Sequence, residues 1–356
     1  MAWSLGKILD GARTREASDI HLIRGVAPIL RINGEIHVSQ GKPLDEAALR
    51  NMIDKMVTPT QREILQERLQ LCFSRHAEGV GRYRASVYFH AGCPELAIRL
   101  CEKTVRSAAE LGLPPVVEEL SRLQNGLILL TGPTGVGKTT TLNFMIDLIN
   151  RSRRAKIVTI EDPVEFVHEN LRSIIVQQEV GTDVRSFREA LVHVLRQDPD
   201  VIVIGEMRDL ETIETALIAA ETGHLVLATL HTPDTVQTIQ RIYSVFPANQ
   251  QNAIVIQLAS TLQAAIAQKL LPRADGRARV LACEVLVATP AGRNHIRERK
   301  EHVLYSEMQT GRKMQMQTMD SALLELYQKG EITYDTALSH CRDHGYIRHR
   351  TGEEEE

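Results

Sequence analysis

This chain of 356 residues predicts an α/β fold in which helices cover both faces of a parallel sheet. Three observations carry that prediction. From Gly126 onward, short continuous apolar runs alternate with helically spaced apolar positions, the pattern of strands buried on both faces and their crossover helices. Each of these runs ends in polar residues, and in such sheets the carboxyl ends of the strands form the ligand edge. Residues 132 to 139, Gly-Pro-Thr-Gly-Val-Gly-Lys-Thr, fill every fixed position of the phosphate-binding pattern G-x-x-x-x-G-K-[ST].

The loop has the neighbours it needs. Leu127-Ile128-Leu129-Leu130 reads as the strand before it. Thr139 to Ile149, apolar at Leu142, Met145, Ile146 and Ile149, reads as the helix after it. Successive N–H groups and the helix N-terminus would face a polyphosphate. Lys138 is placed to reach the β- and γ-phosphates, and the Thr139 hydroxyl to ligate Mg²⁺. Lys156 to Ile160 is the next strand and ends in Glu161-Asp162-Pro163. Ser186 and Glu189 form a capping box that opens a helix from Phe187 to Arg196. Val201 to Ile204 is a third strand, ending in Gly205-Glu206. Asp209 caps a helix carrying Leu210, Ile213 and Leu217, which Gly223 terminates. Leu225 to Leu230 is a fourth strand, ending in His231. Ala253 to Leu271 is apolar but interrupted by Gln257, Ser260, Gln263, Gln268 and Lys269. It reads as a buried or interface helix rather than a membrane span.

The first hundred residues differ. Ile20–Ile23, Pro28–Ile32 and Arg84–Phe89 read as strands, Asn33-Gly34 as a hairpin turn, and 44–71 as two helices broken near Thr58-Pro59. The expected organisation is an N-terminal α+β domain over 1–100, a linker over 101–115, the α/β core over 116–285, a helical region over 286–348 and an acidic tail over 349–356. A net charge of −3 opposes a nucleic-acid partner. The five cysteines form no C-x-x-C pair, so neither a zinc site nor a disulfide framework is expected. The N-terminus lacks the apolar segment of a signal peptide.

Phosphoryl transfer to water requires a metal-bound triphosphate, an oriented water and positive charge at the transition state. Glu206 ends a hydrophobic strand, the place for a carboxylate that polarises water. Gly205 stands where many such sites carry a second acid, a gap that Glu161 and Asp162 could fill. His224 and His231 flank the fourth strand and are candidates to contact the γ-phosphate. Arg208 reads as loop support. The missing positive charge is sought among Arg82, Arg84 and Arg99 of the first domain.

The phosphate loop, the box Ile160-Glu161-Asp162-Pro163-Val164-Glu165, the stretch from Arg196 through Gly205-Glu206-Met207-Arg208-Asp209, and Thr222-Gly223-His224 through His231-Thr232 together resemble the four boxes of the secretion and type IV pilus ATPases. Ala291-Gly292-Arg293-Asn294-His295-Ile296-Arg297-Glu298 resembles the A-I-R-N-L-I-R-E signature of the PilT-type retraction ATPases. The resemblance implies a RecA-like P-loop ATPase core with an N-terminal PAS-like α+β domain and a helical C-terminal extension. It implies ATP and Mg²⁺ as ligands, with Gly132, Pro133, Thr134, Gly135, Val136, Gly137, Lys138, Thr139 and Thr140 around the nucleotide. Thr139, Glu161 and Glu206 would hold the metal. Glu206, Glu161, His224, His231, Arg82 and Arg99 would be catalytic, the arginines completing the site. It further implies a homohexamer that drives pilus retraction and twitching motility. That hexamer would be cytoplasmic, peripheral to the inner membrane at the pilus base, and would act on an inner-membrane platform protein. An accessory PilT/PilU-like paralogue assisting another pilus ATPase, or a secretion-system assembly ATPase, is the alternative.

Overall fold

The computed structural model describes residues 3–32, 34–102 and 104–352. The chain divides into two compact units, one formed by the first 104 residues with 163–167 and the other by the rest.

In the first unit, α1 (Leu5–Thr14) is followed by β1 (Asp19–Leu22), β2 (Ile29–Ile32), β3 (Glu35–Val38), α2 (Glu46–Asp54), α3 (Pro59–Arg68), β4 (Gln70–Ala77), β5 (Gly81–His90) and β6 (Cys93–Leu100). The strands make a six-stranded sheet in the order β3-β2-β1-β6-β5-β4, with every pairing antiparallel. Alternate residues of β5, Tyr83, Ala85 and Val87, turn into the core with Ile20, Leu22, Leu96 and Ile98. The break between α2 and α3 falls where Thr58-Pro59 predicts it. Thr58 and Gln61 close a reciprocal capping box there. β2 and β3 pair as a hairpin, Ile32 opposite Glu35; Asn33 of its turn lies outside the described residues. Residues 163–167 join this unit through Arg82, whose Nε donates to the Val164 carbonyl at 2.5 Å.

The second unit opens with α4 (Ala108–Leu111), inside the segment expected as linker, and α5 (Val116–Ser121). Then come β7 (Gly126–Thr131), α6 (Lys138–Ser152), β8 (Lys156–Glu161), β9 (Ile174–Glu179), α7 (Phe187–Val194), β10 (Val201–Ile204), α8 (Leu210–Glu221), β11 (Leu225–Thr229), α9 (Thr235–Ser244), α10 (Gln251–Thr261), β12 (Leu262–Pro272) and β13 (Arg279–Val287). The seven strands run in the order β13-β12-β7-β11-β10-β8-β9 and are parallel except for β13. One strand therefore separates the strand before the phosphate loop from the strand that ends at Glu206. The central strands β7, β10 and β11 are buried along their whole length, with separate apolar clusters on the two faces. Asp209 and Ser186 cap α8 and α7 as expected, each accepting from the N–H three residues on. Such caps contribute on the order of 1 kcal/mol each.

The expectation of one helix over Ala253–Leu271 is corrected. The helix ends at Thr261, and Leu262 starts β12, which pairs with β7 in parallel and β13 in antiparallel fashion. The helical region consists of α11 (Pro290–Arg297), α12 (His302–Thr310), a 3₁₀ turn, α13 (Met319–Gln328), α14 (Tyr334–His340) and α15 (His344–Thr351). Residues 349–351, expected in an acidic tail, belong to α15, and 353–356 lie outside the described residues. Among the described residues no helix is long and apolar enough to cross a membrane.

Candidate active site

The phosphate loop leaves the carboxyl end of β7 and enters α6 through Gly137, which caps the helix in the left-handed region at φ +94°. Gly132 has φ +135°, and a Cβ built there would lie 2.5 Å from the Gln268 carbonyl of β12 and 2.9 Å from Val136. Only glycine fits that close approach. Gln268 is fully buried, and its side-chain amide donates to Thr141 Oγ at 2.7 Å, bracing the first turn of α6 from beneath. Sequence reasoning misses this support, because nothing in the spacing links position 268 to a loop so far upstream. Pro133, Thr134, Gly135 and Thr139 are exposed, Gly137 and Thr140 half-buried, and Gly132, Val136 and Lys138 buried.

The Lys138 ammonium donates to the carbonyls of Gly132 at 2.6 Å and Pro133 at 2.9 Å, and its Nζ lies 3.4 Å from His231 Nδ1. Burial lowers its pKa, and the Glu206 carboxylate opposes that shift. His231 Nε2 stands 3.0 Å from Glu206 Oε1. An ammonium can only donate and a carboxylate only accept. The two contacts therefore describe a neutral imidazole with its proton on Nε2, its Nδ1 lone pair toward Lys138. Arg208 grips the far side of Glu206, Nη2 to Oε2 at 2.6 Å and Nε to Oε1 at 2.5 Å. Partial burial raises the Glu206 pKa, but the hydrogen bonds from Arg208 and His231 and the charge of Arg208 outweigh it and hold the carboxyl below its ordinary value. A line of contacts thus runs from Lys138 through His231 and Glu206 to Arg208, across the carboxyl ends of β7, β11 and β10. Arg208, expected only as loop support, is the direct partner of the candidate base.

Glu161 ends β8 and is buried. Its Oε1 accepts from Thr159 Oγ1 at 2.6 Å and from Gln177 Nε2 at 3.0 Å. The glycine beside Glu206 also has a physical reason. A Cβ at position 205 would lie 3.0 Å from the Ile160 carbonyl and 3.3 Å from Glu161 Cα, a tight fit that any side chain meets only by pressing on β8.

His224 is not brought to this edge. It precedes β11, at the amino end of a strand whose carboxyl end carries His231, and its carbonyl accepts from Gly126 N at the start of β7. At about 3.3 Å of rise per residue, the length of β11 separates the two histidines by roughly 16 Å. Its Nδ1 donates instead to the Ala219 carbonyl at 2.9 Å, in the last turn of α8. Arg82 and Arg99 belong to the first unit. Arg82 also donates to Ser74 Oγ at 2.6 Å, and Arg99 pairs with Asp19 at 2.9 Å on the exposed face of β6.

The arrangement can hold a polyphosphate, neutralise it with Lys138 and present Glu206 to a water beside it. Mg²⁺ fits the same edge, because the Thr139 hydroxyl is exposed on the first turn of α6 and Glu206 offers a partly exposed carboxylate at the neighbouring strand ends. Among the described residues no three His, Cys, Asp or Glu side chains form a metal cage. Mg²⁺ at phosphate sites usually relies on one or two protein oxygens plus the phosphates themselves.

Comparison with known proteins agrees with this geometry. The family model described as type II/IV secretion system protein matches residues 3–352. The type IV pilus retraction ATPase PilT of Pseudomonas aeruginosa is 42% identical over 90% of this chain and 93% of its own length. A twitching motility protein of Neisseria gonorrhoeae is 40% identical over 95% of this chain and 90% of its own. The crystal structure of the pilus retraction motor PilT with bound ADP matches at a TM-score of 0.90 and 44% identity, covering 96% of this chain and 98% of that one. The α/β fold, the phosphate loop in its strand–helix setting and a family match spanning nearly the whole sequence show that this chain belongs to the type II/IV secretion system protein family.

Proposed function

We propose that this protein is an ATP-hydrolysing motor that works as a homohexamer to withdraw type IV pili and so drives twitching motility. The observation that carries the reading is the line Lys138–His231–Glu206 at the carboxyl edge of the sheet, directly beside the phosphate loop. The names borne by its relatives support the same activity.

Each residue has a defined task in this reading. The loop from Gly132 to Thr140 cradles the polyphosphate with backbone N–H groups, and Lys138 places positive charge where negative charge grows. Glu206 orients and polarises the attacking water. His231 connects Glu206 to Lys138 and so senses the phosphate end of the nucleotide. Thr139, Glu206 and Glu161 are the residues that would hold Mg²⁺, which supplies charge neutralisation when bound. Arg82 and Arg99, contributed by a neighbouring subunit, are the proposed source of the remaining positive charge. The hexamer would sit at the pilus base and act on an inner-membrane platform protein.

Two measurements test the reading. Purified protein should hydrolyse ATP in a Mg²⁺-dependent manner, and Lys138→Ala and Glu206→Gln should abolish that turnover. Undiminished hydrolysis by Glu206→Gln would remove the assigned base. Deleting the gene should abolish twitching while surface pili accumulate; loss of pili would mean assembly instead. Hydrolysis only in a mixture with a second pilus ATPase would mark an accessory subunit.

A further inference from the structure

We infer that Arg208 is a positioning residue that holds Glu206 out of action, and that Asp162 is the seat to which Arg208 moves when Glu206 works. The inference rests on the ATP-hydrolysis reading above and adds a control point to it.

The carboxylate of Glu206 is heavily engaged. Arg208 takes Oε2 with Nη2 at 2.6 Å and Oε1 with Nε at 2.5 Å, while His231 takes Oε1 again at 3.0 Å. A carboxylate has about four lone-pair sites, and three are spent here. A bidentate guanidinium also withdraws the charge that a base must offer to water. For Glu206 to direct a lone pair at a nucleophile, the simplest release is the arginine. The histidine is tied to the phosphate loop through Lys138, whereas the Arg208 side chain is 74% exposed and Glu206 only 19%. Arg208 therefore lies on the solvent side of the pair and can swing without disturbing the core.

Asp162 is the acceptor within reach of that swing. Ile160 of β8 pairs with Ile204 of β10, and Gly205 N donates to the Ile160 carbonyl at 2.8 Å. Asp162 and the Glu206–Arg208 segment thus leave adjacent strand ends side by side. Asp162 is exposed and makes no hydrogen bond or ion pair among the described residues, and its charge acts on Arg208, raising the arginine's pKa along with the larger effect of Glu206. The next acid, Asp209, is occupied in capping α8 through Thr212. Arg208 is 74% exposed, and water screens a pair whose cation faces solvent, which eases its exchange between the two seats.

The test compares wild type, Arg208→Ala, Asp162→Asn and the double variant. Steady-state ATP hydrolysis is read beside the affinity for a fluorescent ADP analogue and the melting temperature. Removing the latch should raise kcat by roughly three- to ten-fold, and removing its alternative seat should lower kcat by a similar factor. The double variant should behave as Arg208→Ala alone, because Asp162 has nothing to receive. Nucleotide affinity and melting temperature should not move. A fall in kcat with Arg208→Ala, or an Asp162→Asn effect that persists without Arg208, overturns the inference. Wild type that does not hydrolyse ATP sinks the ATPase reading instead, and undiminished hydrolysis by Glu206→Gln removes the assigned base.

Discussion

Both edges of the parallel sheet carry a lysine and a histidine, and each edge meets the opposite end of the helices. At the carboxyl edge α6 begins, so backbone N–H groups point outward beside Lys138, and His231 faces Glu206. At the amino edge the helices end. There His224 donates to the Ala219 carbonyl in the last turn of α8, and Lys156 donates to the Gln197 carbonyl just past α7. The same residue types thus serve anion binding on one side and neutralise helix C-termini on the other. Side-chain chemistry alone does not assign a role; strand direction does.

Variants matched across the two edges put that contrast at risk. Lys138→Ala should cut ATP turnover by about a thousand-fold or more, the size of losing a preorganised charge at a transition state, whereas Lys156→Ala should leave turnover within about two-fold of wild type. Similar losses in both lysine variants would erase the distinction between edges. Glu206→Gln should lower kcat by roughly a hundred- to a thousand-fold with nucleotide affinity preserved, measurable as single-turnover hydrolysis against analogue binding. A buried histidine at neither edge gives a pH signature. His168 is pushed down from 6.5 to about 4, burial being the main cause and the Asp147 charge opposing it. Between those values the unfolded chain binds more protons than the folded one, so stability falls as pH drops through the window, by about 3 kcal/mol in all. Denaturant midpoints from pH 7 to pH 4 should show that slope, and His168→Gln should flatten it. The smallest effects separate the two flanking histidines. His231→Ala should slow hydrolysis by roughly ten- to a hundred-fold, and His224→Ala should lower stability by about 1 kcal/mol with turnover retained. Inverted results would return His224 to the chemistry.

Much of the core is legible in the sequence because β7, β10 and β11 are buried on both faces and read as unbroken apolar runs between cap residues. The phosphate loop, Glu206 and His231 follow from those strand ends. β12 is hidden because no glycine or proline separates Thr261 from Leu262 and the apolar run crosses from helix into strand. β9 is a half-exposed edge strand ending Gln177-Gln178-Glu179, and β6 carries Pro94 beside a buried Glu95, so both break the patterns that announce strands. The grip of Arg208 on Glu206 joins residues two apart beyond a strand end, where no periodicity applies. The edge that His224 occupies follows from strand direction alone.

The tight seam at Gly205 reaches beyond this one chain. Any side chain there puts its first atom against the β8 backbone, at the Ile160 carbonyl and Glu161 Cα. A lineage that starts from this sequence gains a second acid at that position only by moving the β8 backbone a few tenths of an ångström. Any advantage of a tighter metal shell is therefore weighed against strain in β8, a strand that also carries Glu161.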